Sequence, residues 1–370
     1  MKLSRLSELL EQLVPSCFAE VYDNVGLLGG EPNQQVRRIL VAVDLTPAVL
    51  AEANKRRAEM ILLHHPPILQ KIDRVIKCSN QIGLLYEAIR NGIALYVMHT
   101  NLDCIEGGTN SVLAQVLGIT VDVRPLRLVR TSANYKLVVF VPAEHVEPVS
   151  EALFAAGAGR IGHQHRYREC SFRSAGLGTF HGDESTSPAV GRAGRREYVE
   201  ELRLETIVPA ADLPAVLTAM RTVHPYEEPA YDLIPLEPFD DRVGMGRVGR
   251  LTRAVTVATL LKRIKAGLGI KSLELVGSDK RKVGTAAVCA GATGDLIDDV
   301  LKSGAEFLLT GEIKHHAGLL AAQNNLAVAV AGHWTTERPG MVKLAEQLKS
   351  TLAGMTILLS SVDSEPFTRR

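Results

Sequence analysis

The chain has 370 residues, 46% of them hydrophobic, and 42 basic against 41 acidic side chains give a formal net charge of +1. That length exceeds a typical single core, so two or three domains are expected, and the apolar fraction excludes wholesale disorder. The charge balance offers no global field to nucleic acid; Arg192, Arg195 and Arg196 form one basic cluster, read as a solvated loop.

The chain opens with an amphipathic helix. Leu3, Leu6, Leu9, Leu10 and Leu13 share one face, and Pro15 ends it. A turn-rich stretch, Tyr22-Asp23-Asn24-Val25-Gly26-Leu27, follows. The apolar run 39–43 predicts a buried strand that stops at Asp44, and Thr46-Pro47 predicts the cap and first residue of a helix to about Arg57. Residues 60–63 predict a second buried strand, stopped by His64-His65-Pro66-Pro67. A helix over 82–89 then leads to a strand over 93–98, stopped by His99-Thr100-Asn101-Leu102-Asp103. Strand-helix alternation of this kind predicts an α/β domain with a largely parallel sheet.

The pattern changes from about Tyr135. Strand, helix, strand, strand, helix, strand are predicted over 136–141, 146–156, 171–180, 201–208, 213–223 and 230–234, with a Gly/Ser-rich loop over 181–197. This β-α-β-β-α-β order predicts a ferredoxin-like α+β domain inserted over residues 129–241, flanked by polar linkers near 127–134 and 237–246. The α/β rhythm then returns. Strands are predicted over 285–290, 307–309, 326–331 and 355–359, with a turn at 291–294, a helix over 295–301 and another capped by Thr335 or Thr336.

Residues 1–128 and 242–370 echo one another. Ala58-Glu59 before an apolar run resembles Ala305-Glu306, and the run ending at His99 resembles the run ending at His333. The two stretches read as a diverged pair forming one discontinuous α/β core. Cys17, Cys78, Cys104, Cys170 and Cys289 are scattered and form no CxxC pair, which suits a reducing, cytoplasmic compartment. Glu8 and Glu11 interrupt any signal-peptide core, and no apolar run approaches the ~20 residues of a membrane span.

Open parallel sheets place ligands beyond the carboxyl ends of their strands, and the polar clusters collect there. Adjacent imidazoles at His64-His65 suit divalent transition metals, and Pro66-Pro67 stiffens the exit. Asp103 offers a carboxylate from the next strand end, and His333 and Glu337 are spaced to share a helix face. Three imidazoles and two carboxylates exceed what one catalytic zinc takes, so two divalent ions are expected, with Zn, Fe or Mn all compatible. His99 is expected to orient the Asp103 loop rather than to ligate. His315-His316 reads as a solvated pair, Cys104 as packing, Gly107-Gly108-Thr109 as a weak anion seat, and Glu312 as a candidate acid/base.

These motifs together resemble one family. Asp23-Asn24-Val25-Gly26-Leu27, His64-His65-Pro66-Pro67, His99-Thr100-Asn101-Leu102-Asp103, Gly107-Gly108-Thr109-Asn110, Thr310-Gly311-Glu312, Gly332-His333 and Thr336-Glu337-Arg338 are similar to those of Nif-three-like proteins, the GTP cyclohydrolase 1 type 2 homologues. The insert, with His224-Pro225-Tyr226-Glu227-Glu228-Pro229-Ala230-Tyr231, resembles a PII/CutA-like domain. The resemblance implies a dinuclear metal centre on His64, His65, Asp103, His333 and Glu337, and a toroidal homohexamer. It implies no agreed reaction. A metal-dependent hydrolase of a nucleotide or phosphorylated small molecule is one expectation, and a non-enzymatic metal-binding, delivery or regulatory protein is the other. The Trp334 indole is expected to narrow the site.

Overall fold

Four consecutive buried apolar residues, Met60–Leu63, need cover on both faces and both edges. The structure, a computed structural model describing residues 1–78, 80–129, 134–162, 166–236 and 242–367, places them at the centre of a five-stranded sheet. Its order is Gly26–Gly29, Ala94–Val97, Met60–Leu63, Arg38–Ala42, Thr356–Leu359. The last four run parallel, and Gly26–Gly29 pairs antiparallel at the edge. Helix Leu3–Leu13 packs Leu3, Leu6 and Leu10 onto one face beside Met341, Leu344 and Leu348 of helix His333–Thr351. Each such side chain contributes roughly 1.5–3 kcal/mol by leaving water. Helices Pro47–Arg56 and Gln81–Arg90 cover the other face. Thr46 caps the first of these, its hydroxyl accepting from Val49 N at 3.2 Å.

The second sheet has six strands in the order Glu274–Val276, Ala327–Val330, Phe307–Glu312, Lys282–Ala292, Arg247–Thr256, Ile119–Arg124. Strand-helix rhythm predicts parallel pairing, but this sheet is mixed. Only Lys282–Ala292, Phe307–Glu312 and Ala327–Val330 pair parallel; the three outer strands pair antiparallel. Arg247–Thr256 carries no continuous apolar signal because Arg250 and Arg253 interrupt its run, as expected of a strand with one solvated face. Two further expectations change. Thr100–Cys104 is a short helix rather than a loop, and the final long helix starts at His333 after Gly332, not at Thr335 or Thr336. Thr336 lies inside it, its hydroxyl donating back to His333 O at 2.8 Å.

The repeated Ala-Glu pairs have a common structural role. Glu59 Oε2 accepts from Arg37 N and Arg38 N at 3.2 and 2.8 Å, the two successive amides just ahead of where the parallel pairing begins at Ile39. Glu306 Oε2 accepts from Gly284 N and Thr285 N at 2.6 and 3.1 Å, the matching amides of the second sheet. Each glutamate thus locks the register of a parallel pair whose first amides would otherwise lack a partner strand.

The chain divides into two compact units, Met1–Val129 with Asp240–Arg370, and Arg130–Phe239. At the ends of the expected insert, residues 130–133 and 237–241 lie outside the described residues. Where polar linkers were expected, Arg127–Leu128 and Gly244–Met245 form a two-stranded antiparallel ribbon in the first unit. In the second unit, strands Asn134–Pro142, Ser171–His181, Arg196–Pro209 and Tyr231–Leu236 form an antiparallel sheet. Its spatial order is fourth, first, third, second, and helices Val146–Ala155 and Leu213–Val223 complete its core. No helix among the described residues is long and apolar enough to cross a membrane.

Candidate metal centre

The turn after Met60–Leu63 is held by backbone bonds: His64 N and His65 N both donate to Val43 O, at 3.2 and 2.9 Å. Both imidazoles are then fixed through Nδ1. His64 Nδ1 lies 2.8 Å from Met98 O, and His65 Nδ1 lies 2.8 Å from Asp44 Oδ1. A carbonyl or carboxylate partner takes a proton at Nδ1 and leaves Nε2 to face the cluster. His99, expected only to orient a loop, is held the same way by Asp23 Oδ1 at 2.8 Å, and its ring centroid lies 5.1 Å from that of His64.

The second half contributes from the start of helix His333–Thr351. Gly332, at φ 109°, makes the sharp entry that turns His333 toward the cluster. His333 Nε2 is 3.0 Å from Glu337 Oε1, one turn on, and its Nδ1 is 3.3 Å from Glu312 Oε1. Glu337 reaches His64 Nε2 at 3.7 Å and His65 Nε2 at 3.1 Å. Asp103, buried on its short helix, lies 3.8 Å from His64 Nε2. His64, His65, Asp103, His333 and Glu337 therefore converge, and His315 and His316 stay exposed on helix His315–Gln323.

Four positioning residues carry weaker sequence signals. Asp23 and Asp44 hold imidazoles; Asp44 ends a buried strand and obeys the same strand-end rule as the others. Asn110 donates to Asp103 O at 3.0 Å and accepts from Ala290 N at 2.8 Å, tying the Asp103 helix to the second sheet. Gly291, at φ +60°, leaves room that a Cβ would fill, 2.3 Å from Glu337 Oε1 and 3.1 Å from His333 Nε2. At the expected anion seat, a Cβ on Gly108 would meet Leu102 O at 1.8 Å and Thr109 is fully buried, whereas Gly107 is exposed with open space beside it. Trp334 turns to Asp363, donating from Nε1 at 3.0 Å.

The neighbouring acids favour the protonated forms of His64, His65 and His333. Burial lowers the His65 pKa, but Asp44 and Glu337 outweigh it and push it up to about 10. Burial likewise opposes, and Glu337 overcomes, at His333, which rises to about 8. His64 is raised despite complete burial because Asp103 and Glu337 face it. Burial pushes the Asp103 carboxyl up, while the imidazoles hold Glu337 well below its ordinary range against the effect of its burial.

The donor set fits metal ions on one observation. His64 Nε2 and Asp103 Oδ1 are buried polar atoms with no hydrogen-bond partner, and Glu337 Oε2, also buried, faces His65 Nε2 at 3.1 Å. Such atoms are rare in folded proteins and costly to leave unpaired. The gaps of 3.7 and 3.8 Å from His64 Nε2 to the carboxylates exceed a hydrogen bond. They are close to the roughly 3.4 Å between neighbouring donors on a tetrahedral ion with bonds of about 2.0–2.2 Å. The ligand atoms of His65, His333 and Glu337 lie within 4.8 Å of one another, as do those of His64, His65 and His99.

Comparison with known proteins agrees with this architecture. A protein of Halalkalibacterium halodurans named GTP cyclohydrolase 1 type 2 homolog is 36% identical over 364 residues, covering 98% of this chain and 97% of its own. One of the same name from Mycobacterium leprae is 35% identical over 370 residues, covering 99% and 95%. Among solved structures, a Bacillus cereus protein related to NIF3 matches with TM-score 0.77 and 33% identity over 100% of this chain and 99% of its own. The profile of the Duf34/NIF3 (NGG1p interacting factor 3) family matches residues 1–366, and the chain belongs to that family.

Proposed function

We propose that His64, His65, Asp103, His333 and Glu337 bind two divalent metal ions, Zn, Fe or Mn, and that the protein is a metal-dependent hydrolase of a nucleotide or phosphorylated small molecule. The observation that carries the reading is the convergence of two buried, partnerless donor atoms, His64 Nε2 and Asp103 Oδ1, with the buried Glu337 carboxylate, from separate strand ends. Bound ions would lower the pKa of a water and polarise a phosphoryl or carbonyl oxygen. The chain's own part is to hold the imidazoles in one tautomer through Asp44 and Met98 O. Glu312, half exposed beside His333, is the candidate to carry a proton at the rim. The relatives named GTP cyclohydrolase 1 type 2 homolog make GTP the first substrate to try.

Protein purified without chelators should carry about two ions per chain, since five ligands exceed a mononuclear catalytic set. Metal analysis showing none would sink the reading. With defined metals, turnover across nucleotides and phosphorylated compounds tests the hydrolase. A second reading, metal delivery or regulation, draws on the exposure of His65 and His333, 25% and 32%, which leaves an exchange path. Bound ions that exchange readily, with no turnover, would favour it.

The same proposal reads residues 129–241 as an inserted ferredoxin-like, PII/CutA-like domain, supported by the strand order of the second unit. Deleting them with a short flexible linker should leave a folded, metal-loaded core, because Leu128 pairs directly with Gly244. Insolubility with several linkers would overturn the division. We also read the assembly as a toroidal homohexamer in the cytoplasm, on the family resemblance and on cysteines that are scattered and form no CxxC pair. A light-scattering mass other than that of six chains would refute the hexamer.

A further inference from the structure

We propose that Asp23 and His99 complete the metal centre, with His99 as a sixth protein ligand and Asp23 as the positioning residue that aims it. The inference rests on the metal-binding reading above and extends it to a motif, Asp23-Asn24-Val25-Gly26-Leu27, that the five ligands leave unused.

Geometry comes first. His99 offers one ligand atom within 4.8 Å of those of His64 and His65, and its ring centroid is 5.1 Å and 5.4 Å from theirs. Its Nδ1 is committed to Asp23 Oδ1 at 2.8 Å, so Nε2 is the nitrogen left for an ion. The Asp23 side chain is fully buried, and its second oxygen accepts from Thr100 N at 3.0 Å and from the Thr100 hydroxyl. Oδ1 also accepts from Asn24 N at 2.8 Å, and two oxygens fixed by four donors leave the carboxylate one orientation. The neighbouring Asn24 donates to Ile68 O at 2.7 Å, so one short segment grips both the loop after His65 and the start of the His99 helix.

The internal echo of the core is an independent argument. Ala94–Val97 flanks Met60–Leu63 in the first sheet as Ala327–Val330 flanks Phe307–Glu312 in the second, both in parallel register. His99 follows the first strand and His333 the second, and each precedes a buried carboxylate by four residues, Asp103 and Glu337. The match is offset by one position, because His99 caps its helix whereas Gly332 caps the other. His99 with Asp103 is the first-half counterpart of His333 with Glu337. A nitrogen donor added to His64 and His65 favours ions such as Zn, Fe, Co or Ni over Mg or Ca.

The test compares wild type with His99→Ala, Asp23→Asn and, as a control on an exposed helix face, His316→Ala, measuring ions per chain, affinity by competition, and the visible spectrum of the cobalt(II) form. Asparagine at position 23 keeps the size but replaces one acceptor oxygen by a donor and removes the charge, so His99 Nδ1 loses the carboxylate that fixes its tautomer while the ring stays. His99→Ala and Asp23→Asn should each weaken one ion by about 10–100-fold and change the cobalt spectrum, with His316→Ala unchanged. If His99→Ala fails to fold, His99→Gln carries the same comparison. Two ions held by the His99 variant with wild-type affinity and spectrum would overturn the proposal. A wild type that binds no ion would overturn the metal-binding reading itself and this inference with it.

Discussion

Glu59 and Glu306 do the same thing in two sheets, each accepting from the two successive amides just ahead of where a parallel pairing begins, at Ile39 and at Ala286. The strands they lock end differently. Met60–Leu63 runs into His64-His65, whereas Phe307–Glu312 ends in Gly311-Glu312. One step over, the sheets diverge again: Asp44 holds the His65 ring, whereas Gly291 clears space for Glu337 and His333. The two sheets share this device, and the converging side chains are divided between them. Nitrogen donors dominate the first half, and the second supplies His333 with the carboxylate, Glu337, that reaches across to both His64 and His65.

The largest effect should come from breaking that reach. Glu337→Gln keeps the size but loses the charge that offsets two dications, so bound metal should fall more than tenfold. Metal analysis, and thermal stability with and without added metal, read the loss. Normal metal content there, with loss in His316→Ala, would show that the second half contributes through its other cluster.

An acid-dependent difference between the sheets should be next. Burial raises the Glu52 pKa, but hydrogen bonds from Ser360, Ser361 and Arg56 outweigh it and hold it at about 2, below its ordinary 4.5. Those bonds tie helix Pro47–Arg56 to the segment after the last strand of the first sheet. A depressed folded-state pKa stabilises above the unfolded value and is lost as pH falls toward the folded one. Glu52→Gln should therefore lower stability at neutral pH by up to about 3 kcal/mol and flatten the decline between pH about 4.5 and 2. Urea unfolding across that window with an unchanged slope would refute it.

Gly291→Ala tests the clearance in the second half. The backbone there sits at φ +60°, and the new Cβ would collide with Glu337 Oε1. Destabilisation of the metal-free protein by roughly 1–2 kcal/mol is expected, with weaker metal binding. A neutral result in both measurements would mean that Glu337 has another pose. Glu59→Ala and Glu306→Ala sharpen the shared device: each should cost about 0.5–1.5 kcal/mol in urea unfolding, and the two should agree within about 0.5 kcal/mol. A silent Glu306 beside a costly Glu59 would break the equivalence. His316→Ala, on an exposed helix face, should change stability by less than ~0.5 kcal/mol.

By itself the sequence determined the elements whose signals are local. Continuous apolar runs marked Met60–Leu63 and Ala94–Val97, because buried parallel strands are apolar on both faces. Thr46-Pro47 marked a helix start through cap chemistry, and His64-His65 marked a strand end where two imidazoles have no cheap place in a core. Even the Ala-Glu echo was legible, but not its purpose, since the amides that Glu59 and Glu306 serve belong to neighbouring strands. Tertiary structure alone decided that Thr356–Leu359 closes the first sheet, more than three hundred residues after Arg38–Ala42 in the sequence. It alone decided that Arg247–Thr256 joins the second sheet antiparallel, since partner and direction are set by long-range hydrogen bonds that no local pattern encodes. It also brought His99 against His64 and His65: Asp23, 76 positions away, fixes that ring, and pairing at such a distance in sequence exists only once both strands are in place.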